Sequence, residues 1–275
     1  MWRQWRDVLA GQGSHAATID AKRLTAHALG LSDLDLAVRE REPVDAQAVA
    51  RVDVLMRRRL TGESVARIIG EREFYGLHFT LNAATLEPRP ETELLVDRAI
   101  AALPPGGSLL DLGTGTGCIP ISVLANRPDA TAVAVDLSAE ALEAARRNAE
   151  RHGVGKRIAL LQGSWFEPLT GEGLFHLIVS NPPYIVSAVI PTLSAEVREF
   201  DPVLALDGGP DGLAPYRVIA AEAPQHLAPG GELLLEIGYD QGEAVTAILA
   251  RHGWHDIAVH KDLGGLDRVV SAHHL

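Results

Sequence analysis

The segment Asn181–Tyr184, Asn-Pro-Pro-Tyr, follows a short apolar run and contains groups that could bind a planar amide or amine. The Asn181 side-chain oxygen is one hydrogen-bond acceptor for an N–H₂ group, and we assign the second to the backbone carbonyl of Pro182. Pro182 and Pro183 have no N–H and fix φ, so the segment would present these acceptors rigidly. Tyr184 could pack flat against the bound group. The pattern predicts a site that aims a weakly nucleophilic nitrogen at an electrophilic methyl group and stabilises positive charge on that nitrogen. A merely structural turn is the alternative.

A glycine-rich turn lies upstream, in the sequence Asp111–Cys118, Asp-Leu-Gly-Thr-Gly-Thr-Gly-Cys. Glycines let the backbone turn sharply and let a ligand approach it closely. A dinucleotide fingerprint needs Gly-x-Gly-x-x-Gly, whereas Cys118 occupies the last position here and the third glycine comes one residue early. This spacing fits a turn for S-adenosylmethionine better than one for a pyrophosphate, with the methionine carboxylate at the helix N-terminus. A structural turn is again the alternative. The candidate cofactor residues of the turn are Gly113, Thr114, Gly115, Thr116 and Gly117.

Two further side chains stand where a nucleoside would lie. Asp136 ends an apolar run, and a carboxylate at that position can accept both hydroxyls of a ribose. It could instead cap the following helix, although Ser138 can do so by itself. Trp165 follows the next strand and could cover an adenine, but an aromatic residue at a strand end is as often part of the core.

The elements that must position these residues alternate between strand and helix from about residue 107. Nearly continuous apolar strands in such alternation predict a doubly wound, mostly parallel sheet. The last two strands form a closing hairpin, which would make the sheet mixed. The seven predicted strands are Ser108–Leu112, Thr131–Val135, Arg157–Leu161, Phe175–Ser180, Glu232–Ile237, Asp256–His260 and Arg268–Ala272.

The N-terminal part of the chain has a different character. Apolar residues recur at helical spacing, for example Leu24, Ala28 and Leu31, and strand-like alternation is absent. From Arg67 to Leu81, β-branched and aromatic runs broken by glycines indicate a hairpin-like connector. We therefore predict a small helical substrate-docking domain at residues 1–65, a β-hairpin linker at 66–90 and a catalytic domain at 91–275.

Composition narrows the class of protein. The chain has 275 residues, 47% hydrophobic and 22% charged, as in globular proteins. A formal net charge of −11 argues against stable binding to nucleic acid, which favours basic surfaces. The single cysteine, Cys118, excludes an internal disulfide, and no His or carboxylate set has the spacing of a metal site. No signal peptide or apolar run of about 20 residues is visible, so we expect a cytoplasmic protein without membrane segments.

Taken together, these motifs resemble class I S-adenosylmethionine methyltransferases that act on planar nitrogens. Within that class the sequence is similar to the HemK/PrmC-type protein-glutamine N5-methyltransferases over almost its whole length. Besides the helical N-terminal segment, the resemblance rests on Ile68-Ile69-Gly70, Phe74-Tyr75-Gly76, Pro88–Glu93, Gly113–Gly117, Asp136, Asn181–Tyr184, Asp211-Gly212-Leu213, Glu236-Ile237-Gly238 and Gly265–Arg268. Small departures are Ser164, where many such enzymes have an acidic residue, and Asp201 before Pro202 in place of glutamate.

The resemblance implies an enzyme that methylates the glutamine of the Gly-Gly-Gln motif in bacterial peptide-chain release factors. It implies a Rossmann-like catalytic domain in which Gly113–Gly117 line the methionine end of S-adenosylmethionine, Asp136 holds the ribose and Trp165 contacts the adenine region. S-adenosylhomocysteine would be the product. The resemblance also makes Asn181–Tyr184 the glutamine-binding segment, with Asn181 also near the cofactor. It leaves open whether Arg89, Pro90 and Glu93 cover the cofactor or brace the domains.

Two other functions share parts of this pattern. Enzymes that methylate exocyclic amines of DNA or RNA bases have the same Asn-Pro-Pro-Tyr segment, but the acidic balance favours a protein substrate. The only dense basic cluster, Arg57–Arg59, would fan around a helix as a solvated face. A cofactor-binding scaffold without activity is the third possibility, and the intact Asn181–Tyr184 segment argues against it. We expect a monomer.

Overall fold

In the computed structural model, residues 1–274 are described and form two compact units. One unit contains Met1–Glu71 together with Ser194–Phe200, and the other contains Arg72–Leu193 and the chain from Asp201 onward. The helices are α1 (Trp2–Gly11), α2 (Ala17–Leu29), α3 (Asp33–Val38), α4 (Ala46–Leu60), α5 (Val65–Ile69), α6 (Glu93–Ala102), α7 (Cys118–Asn126), α8 (Ala139–Arg151), α9 (Ala195–Arg198), α10 (Ala214–Glu222) and α11 (Gly242–Arg251). The strands are β1 (Glu71–Phe74), β2 (Leu77–Thr80), β3 (Ser108–Leu112), β4 (Thr131–Asp136), β5 (Ile158–Gln162), β6 (Phe175–Ser180), β7 (Leu227–Glu236), β8 (His255–Lys261) and β9 (Asp267–His273).

The helical unit has its own small core. Leu24 of α2 and Val52 and Met56 of α4 are completely buried in it, as their helical spacing predicts. The strand-like interpretation of Arg67–Gly70 is wrong, because these residues form α5 and its C-terminal cap. The Ser64 hydroxyl accepts a hydrogen bond from the Arg67 N–H, and Gly70 ends the helix in the left-handed region. Caps at both ends therefore override the β-branched isoleucines.

The hairpin of the connector is limited to β1 and β2. Tyr75 and Gly76 form its two-residue turn, both with positive φ, which matches the twist of tight antiparallel hairpins. The side chain of Glu93 at the start of α6 accepts a hydrogen bond of 2.9 Å from the Tyr75 N–H. Tyr75 also donates a hydrogen bond from its hydroxyl to Asp97 at 2.6 Å. Helix α6 thus holds the turn in place.

The main sheet has seven strands in the order β5-β4-β3-β6-β7-β9-β8. Strands β3 to β7 pair in parallel, whereas β9 is antiparallel to both β7 and β8. The predicted fold class, a mostly parallel doubly wound sheet preceded by a helical region, is confirmed. Both faces of the sheet are covered: Leu110 and Leu112 of β3 pack in one hydrophobic cluster, and Leu109 packs in the other.

The strand order reverses between β3 and β6, because β4 continues the sheet on one side of β3 and β6 begins the other side. Ligands of open parallel sheets bind beyond the carboxyl ends of the strands at such a reversal. The glycine turn follows β3 and the Asn181–Tyr184 segment follows β6, so these two segments come together at that position.

Candidate active site

The glycine turn after β3 owes its shape to three residues with positive φ: Gly113, Gly115 and Gly117. The N–H groups of Gly113 and Thr114 both donate to the Val135 carbonyl of β4, at 2.9 and 3.0 Å. A Cβ on Gly117 would lie 2.7 Å from Ile121, so this glycine allows α7 to pack closely. A Cβ on Gly113 or Gly115 would meet no described atom within 4 Å, so these two positions leave open space beside the turn.

Asp136 at the end of β4 is hydrogen-bonded to the same turn. One carboxylate oxygen accepts from the Gly115 N–H at 2.8 Å and the other from the Ser138 N–H at 2.9 Å. Burial raises the pKa of Asp136 above its usual value, and these N–H groups oppose the shift. The cap of α8 is Ser138, whose hydroxyl accepts from the Ala141 N–H. Because Ser138 caps the helix, Asp136 is available as an acceptor at the sheet edge.

The loop after β5 brings an aromatic ring to the same edge. Trp165 has a φ of +48°, which is unusual for a bulky residue and is typical of constrained functional segments. A Cβ on Gly163 would lie 2.8 Å from Pro168, so this glycine lets the loop fold back on itself. Trp165 lies on the wall of a cavity and also packs against the core.

These loops surround a cavity of about 240 Å³. It is lined by Ala84, Leu86, Pro88, Arg89, Thr92, Gly113, Thr114, Gly115, Thr116, Cys118, Ile119, Val135, Asp136, Leu137, Gly163, Ser164, Trp165, Asn181, Pro183, Leu204, Ala205 and Asp207. Most of the predicted site residues are therefore brought together. Gly117, Pro182 and Tyr184 are not among the lining residues, since Gly117 contacts α7 and α8 and Pro182 is buried.

The backbone of the Asn181–Tyr184 segment is held from outside by residues 206–212. The Ile185 N–H donates to the Leu206 carbonyl at 2.9 Å, and the Gly208 N–H donates to the Ile185 carbonyl at 2.8 Å. A Cβ on Gly208 would lie 2.8 Å from the Tyr184 Cα, and one on Gly212 would lie 2.5 Å from the Tyr184 carbonyl oxygen. The close approach that fixes the segment therefore requires glycine at both positions.

Gln241 completes this support. Its Nε2 donates to the carbonyls of Tyr184 and Gly212, at 3.1 and 3.2 Å, and its Oε1 accepts from the Gly238 N–H at 3.0 Å. Burial raises the pKa of the Tyr184 hydroxyl to about 12, so this residue is neutral at physiological pH, and its side chain packs against the core. The sequence prediction did not include Gln241, Gly208 or Gly212 in the site, although Gly212 lies in a motif used for the resemblance.

The side-chain amide of Asn181 is turned toward the protein. Its Nδ2 donates to the Thr92 hydroxyl at 3.2 Å, and both side chains favour the charged form of the neighbouring Glu236 carboxyl group. Glu236 is 1% exposed and Thr92 is 2% exposed. The sequence prediction did not place either residue in the site, although Thr92 lies in the Pro88–Glu93 motif and Glu236 in the Glu236-Ile237-Gly238 motif used for the resemblance. The available signal was an acidic residue at the end of the apolar strand β7, where a buried charge is costly.

A second buried carboxyl group lies under the glycine turn. Asp111 of β3 is completely buried, and neither of its carboxylate oxygens has a hydrogen-bond partner within residues 1–274. Burial raises its pKa to about 7. The neighbouring thiol of Cys118 at the start of α7 also has its pKa raised by burial, to about 12. Cys118 is therefore a packed thiol of low reactivity.

The resemblance left open whether Arg89 and Glu93 cover the cofactor or brace the domains. The structure gives these two side chains different contacts. Arg89 lies on the cavity wall, and its guanidinium forms an ion pair of 2.6 Å with the buried Asp201. Glu93 braces the Tyr75 turn and is absent from the cavity wall among the described residues.

Within residues 1–274, no cluster of three or more His, Cys, Asp or Glu could hold a metal ion. Over the same span, every helix is too short or too polar to cross a bilayer.

Comparison with known proteins extends these observations to the whole chain. A family model of the PrmC N-terminal domain matches residues 1–70, and one of the methyltransferase small domain matches residues 90–196. The release factor glutamine methyltransferase of Agrobacterium fabrum is 44% identical over 272 residues, covering 97% of this chain and 93% of the relative. That of Cereibacter sphaeroides is 45% identical over 264 residues, covering 96% and 94%. The crystal structure of a methyltransferase from Pyrococcus furiosus shares the fold, with a TM-score of 0.53, 20% identity, and coverage of 72% of this chain and 88% of that chain. The chain belongs to the release factor glutamine methyltransferase family.

Proposed function

We propose that this protein transfers a methyl group from S-adenosylmethionine to the side-chain nitrogen, N5, of a glutamine in bacterial peptide-chain release factors, the glutamine of their Gly-Gly-Gln motif. The observation that supports this most directly is the Asn181 carboxamide, which lies on the cavity wall with its nitrogen bonded inward to Thr92. Its oxygen is the end available to a substrate N–H₂ group. The kinship with release factor glutamine methyltransferases supports the same substrate.

The cavity fits S-adenosylmethionine in its chemistry. The open space beside Gly113 and Gly115 would admit the methionine end. The carboxylate of Asp111 lies beneath the turn and accepts no hydrogen bond within the described chain, so it suits the cationic amino group of the methionine end. Asp136 would accept from the ribose hydroxyls and Trp165 would lie against the adenine. The bound cofactor supplies an electrophilic methyl group on a sulfonium sulfur.

The protein's own part in the reaction is to orient the substrate amide. Asn181 Oδ1 and the Pro182 carbonyl would accept the two amide hydrogens, which fixes the direction of the nitrogen lone pair. The same acceptors stabilise positive charge on that nitrogen. Tyr184, neutral at physiological pH, would pack against the flat carboxamide. No side-chain base is required, because a positively charged, N-methylated amide loses its proton readily to water.

We further propose that the helical domain at residues 1–65 docks the release factor, with residues 66–90 as linker and 91–275 as catalytic domain. Leu34 and Val38 of α3 support a docking role, because they are one turn apart and 73% and 76% exposed. Replacing both with serine should raise KM for intact release factor about tenfold and leave KM for a short glutamine peptide unchanged. An equal effect on both substrates would contradict docking by this surface. We place the enzyme in the cytoplasm as a monomer.

The function is tested by incubating the protein with radiolabelled S-adenosylmethionine and, in separate reactions, release factor, tRNA, ribosomal RNA and duplex DNA. Label should appear only on release factor. Label on RNA or DNA alone would instead assign the enzyme to the methyltransferases of exocyclic base amines, which the charge of −11 disfavours.

A further inference from the structure

Three side chains from different parts of the chain meet behind the Asn181–Tyr184 segment. Asn181 follows β6, Thr92 precedes α6 and Glu236 ends β7. The Asn181 Nδ2 donates to the Thr92 Oγ1 at 3.2 Å. Both side chains favour the charged form of the neighbouring Glu236 carboxyl group. One oxygen of that carboxyl group, Oε2, is buried and has no hydrogen-bond partner in the described part of the chain. These residues form a polar network enclosed by apolar strands.

We propose that Glu236, acting with Thr92, is a positioning residue that holds the Asn181 carboxamide with its oxygen toward the substrate and so selects an amide over an acid. This inference rests on the function proposed above, since it names what fixes the acceptor that grips the glutamine. Glu236 touches neither substrate nor cofactor in this account and acts through Asn181.

Which end of the Asn181 carboxamide faces the cavity follows from which groups around it can donate hydrogen bonds. The two ends of a carboxamide have nearly the same shape, so packing alone does not determine which end faces the cavity. An ionised carboxylate only accepts hydrogen bonds, so Thr92 must direct its single hydroxyl hydrogen to Glu236. The Thr92 oxygen is then left as an acceptor, which binds the nitrogen end of Asn181. Every bond therefore turns Nδ2 inward and Oδ1 outward.

This orientation has a consequence for specificity. Oδ1 accepts from the N–H₂ of a glutamine side chain but repels the carboxylate of a glutamate in the same place. With the amide reversed, Nδ2 would face the substrate and favour the carboxylate. A buried polar group that is left unpaired by the wrong ligand discriminates strongly. The network thus adds to the preference for glutamine over glutamate that the Pro182 carbonyl also provides.

The ionisation of Glu236 controls the direction. Burial raises its pKa to about 7, with Thr92 and Asn181 opposing the shift. The charged and titratable groups around it are Arg268 of β9, Glu91 before α6, Tyr184, Tyr216 of α10 and Cys118 of α7. Below about pH 7 the protonated Glu236 carboxyl group can donate a hydrogen bond to Thr92. The Thr92 hydroxyl can then donate to Asn181 instead of accepting from it, so the Asn181 carboxamide is no longer held in one orientation. The preference for amide, and kcat with it, should therefore rise as pH increases through 7.

The test compares Thr92→Val with the matched control Thr92→Ser, and both with Glu236→Gln. Valine has the shape of threonine without an acceptor, whereas serine keeps the hydroxyl. Calorimetry with S-adenosylhomocysteine present would measure the Kd of a release factor peptide containing the Gly-Gly-Gln glutamine and of the same peptide with glutamate. Thr92→Val should lower the preference for glutamine about tenfold and reduce kcat more than it raises KM, and Thr92→Ser should stay within about threefold of wild type. Glu236→Gln should abolish the pH dependence of the preference for glutamine over glutamate near pH 7.

An unchanged preference for the glutamine peptide in Thr92→Val would overturn the inference. So would a preference for glutamine over glutamate that still changes with pH near 7 in Glu236→Gln. If Glu236→Gln fails to fold, as circular dichroism would reveal, the Thr92 pair still decides the question. A wild-type protein that methylates no release factor contradicts the proposed function instead. If the wild-type protein methylates release factor but Thr92→Val and Thr92→Ser have the same preference for the glutamine peptide, only the positioning role is contradicted.

Discussion

The turn after β3 and the segment after β6 are neighbours at the reversal of strand order, yet they become rigid by opposite means. The glycine turn is shaped by its own residues: three positive φ values and two N–H bonds to Val135 of the adjacent strand. The Asn181–Tyr184 segment is stiffened by two prolines but is located by distant residues. Gly208, Gly212 and Gln241 hold its backbone.

This difference separates two tasks. In the proposed mechanism, the turn offers open space and backbone to a cofactor that is the same in every reaction cycle. In the same mechanism, the Asn181–Tyr184 segment presents one amide oxygen in one direction, which we infer depends on Thr92 and Glu236 as well as on the segment's own sequence. Variants in the two regions should therefore affect different quantities: cofactor affinity for the turn and turnover for the segment.

The largest effect should come from Asn181→Ala. It removes an acceptor of the substrate amide, so methyl transfer should fall by about 10³-fold, while the Kd of S-adenosylmethionine changes by less than about tenfold. Single-turnover kinetics and calorimetry measure the two quantities. Asn126→Ala, at an exposed position at the end of α7, is the control and should match wild type. Retained turnover in Asn181→Ala would remove this residue from the mechanism.

Gly115→Ala should show the reverse pattern. Its Cβ would project into the open space beside the turn, and its φ of +56° is strained for alanine, so cofactor Kd should rise about 30-fold. Gly265→Ala, at φ +80° in the β8–β9 connection with no described atom within 4 Å, supplies the control for strain alone. Both variants should lose about 1–2 kcal/mol of unfolding free energy, but only Gly115→Ala should weaken cofactor binding. Equal cofactor affinity in the two variants would contradict the assignment of the turn.

A smaller effect is expected for Gly212→Ala. The new Cβ would lie 2.5 Å from the Tyr184 carbonyl oxygen and would displace the segment, so kcat should fall about tenfold. Cofactor affinity should stay within about twofold of wild type, because the glycine turn is not touched. Gly265→Ala again separates strain from displacement. A loss of cofactor affinity without loss of kcat would show that the two regions are not independent.

The smallest effect should be seen at Cys118. Burial raises the pKa of its thiol to about 12, which outweighs its place at a helix N-terminus. Because the thiolate is the reactive form, alkylation by iodoacetamide at pH 8 should be at least about tenfold slower than for a free cysteine and should accelerate on unfolding in urea. Alkylation at the rate of free cysteine would indicate an activated thiol beside the turn.

The strands and the two loop segments could be predicted from the sequence, whereas helix α5 could not. The parallel strands were located to within a few residues because buried strands are apolar runs bounded by turns, as in β3 and β6. The glycine turn and Asn181–Tyr184 could be predicted as site residues because their chemistry is local, and the structure places them after β3 and β6 at one edge of the sheet. Helix α5 was misread, since two isoleucines favoured strand and the caps at Ser64 and Gly70 decided otherwise.

The contacts of Asn181 with Thr92 and Glu236 could not be predicted from the sequence, for a different reason. Thr92 lies 89 positions before Asn181, and Glu236 lies on another strand, so only the folded sheet brings them together. Both residues lie in motifs used for the resemblance, but those motifs do not show that the two side chains meet. Residues that act through another side chain are visible in three dimensions by their burial and their hydrogen bonds, and these two are almost fully buried.

The most direct test of the account is mass-spectrometric localisation of the methyl group on intact release factor after incubation with the protein and S-adenosylmethionine. We predict a single added methyl group on the side-chain nitrogen of the Gly-Gly-Gln glutamine, and no addition to a release factor in which that glutamine is glutamate. A methyl group on any other residue, or equal labelling of the glutamate form, would contradict a site built to orient a carboxamide.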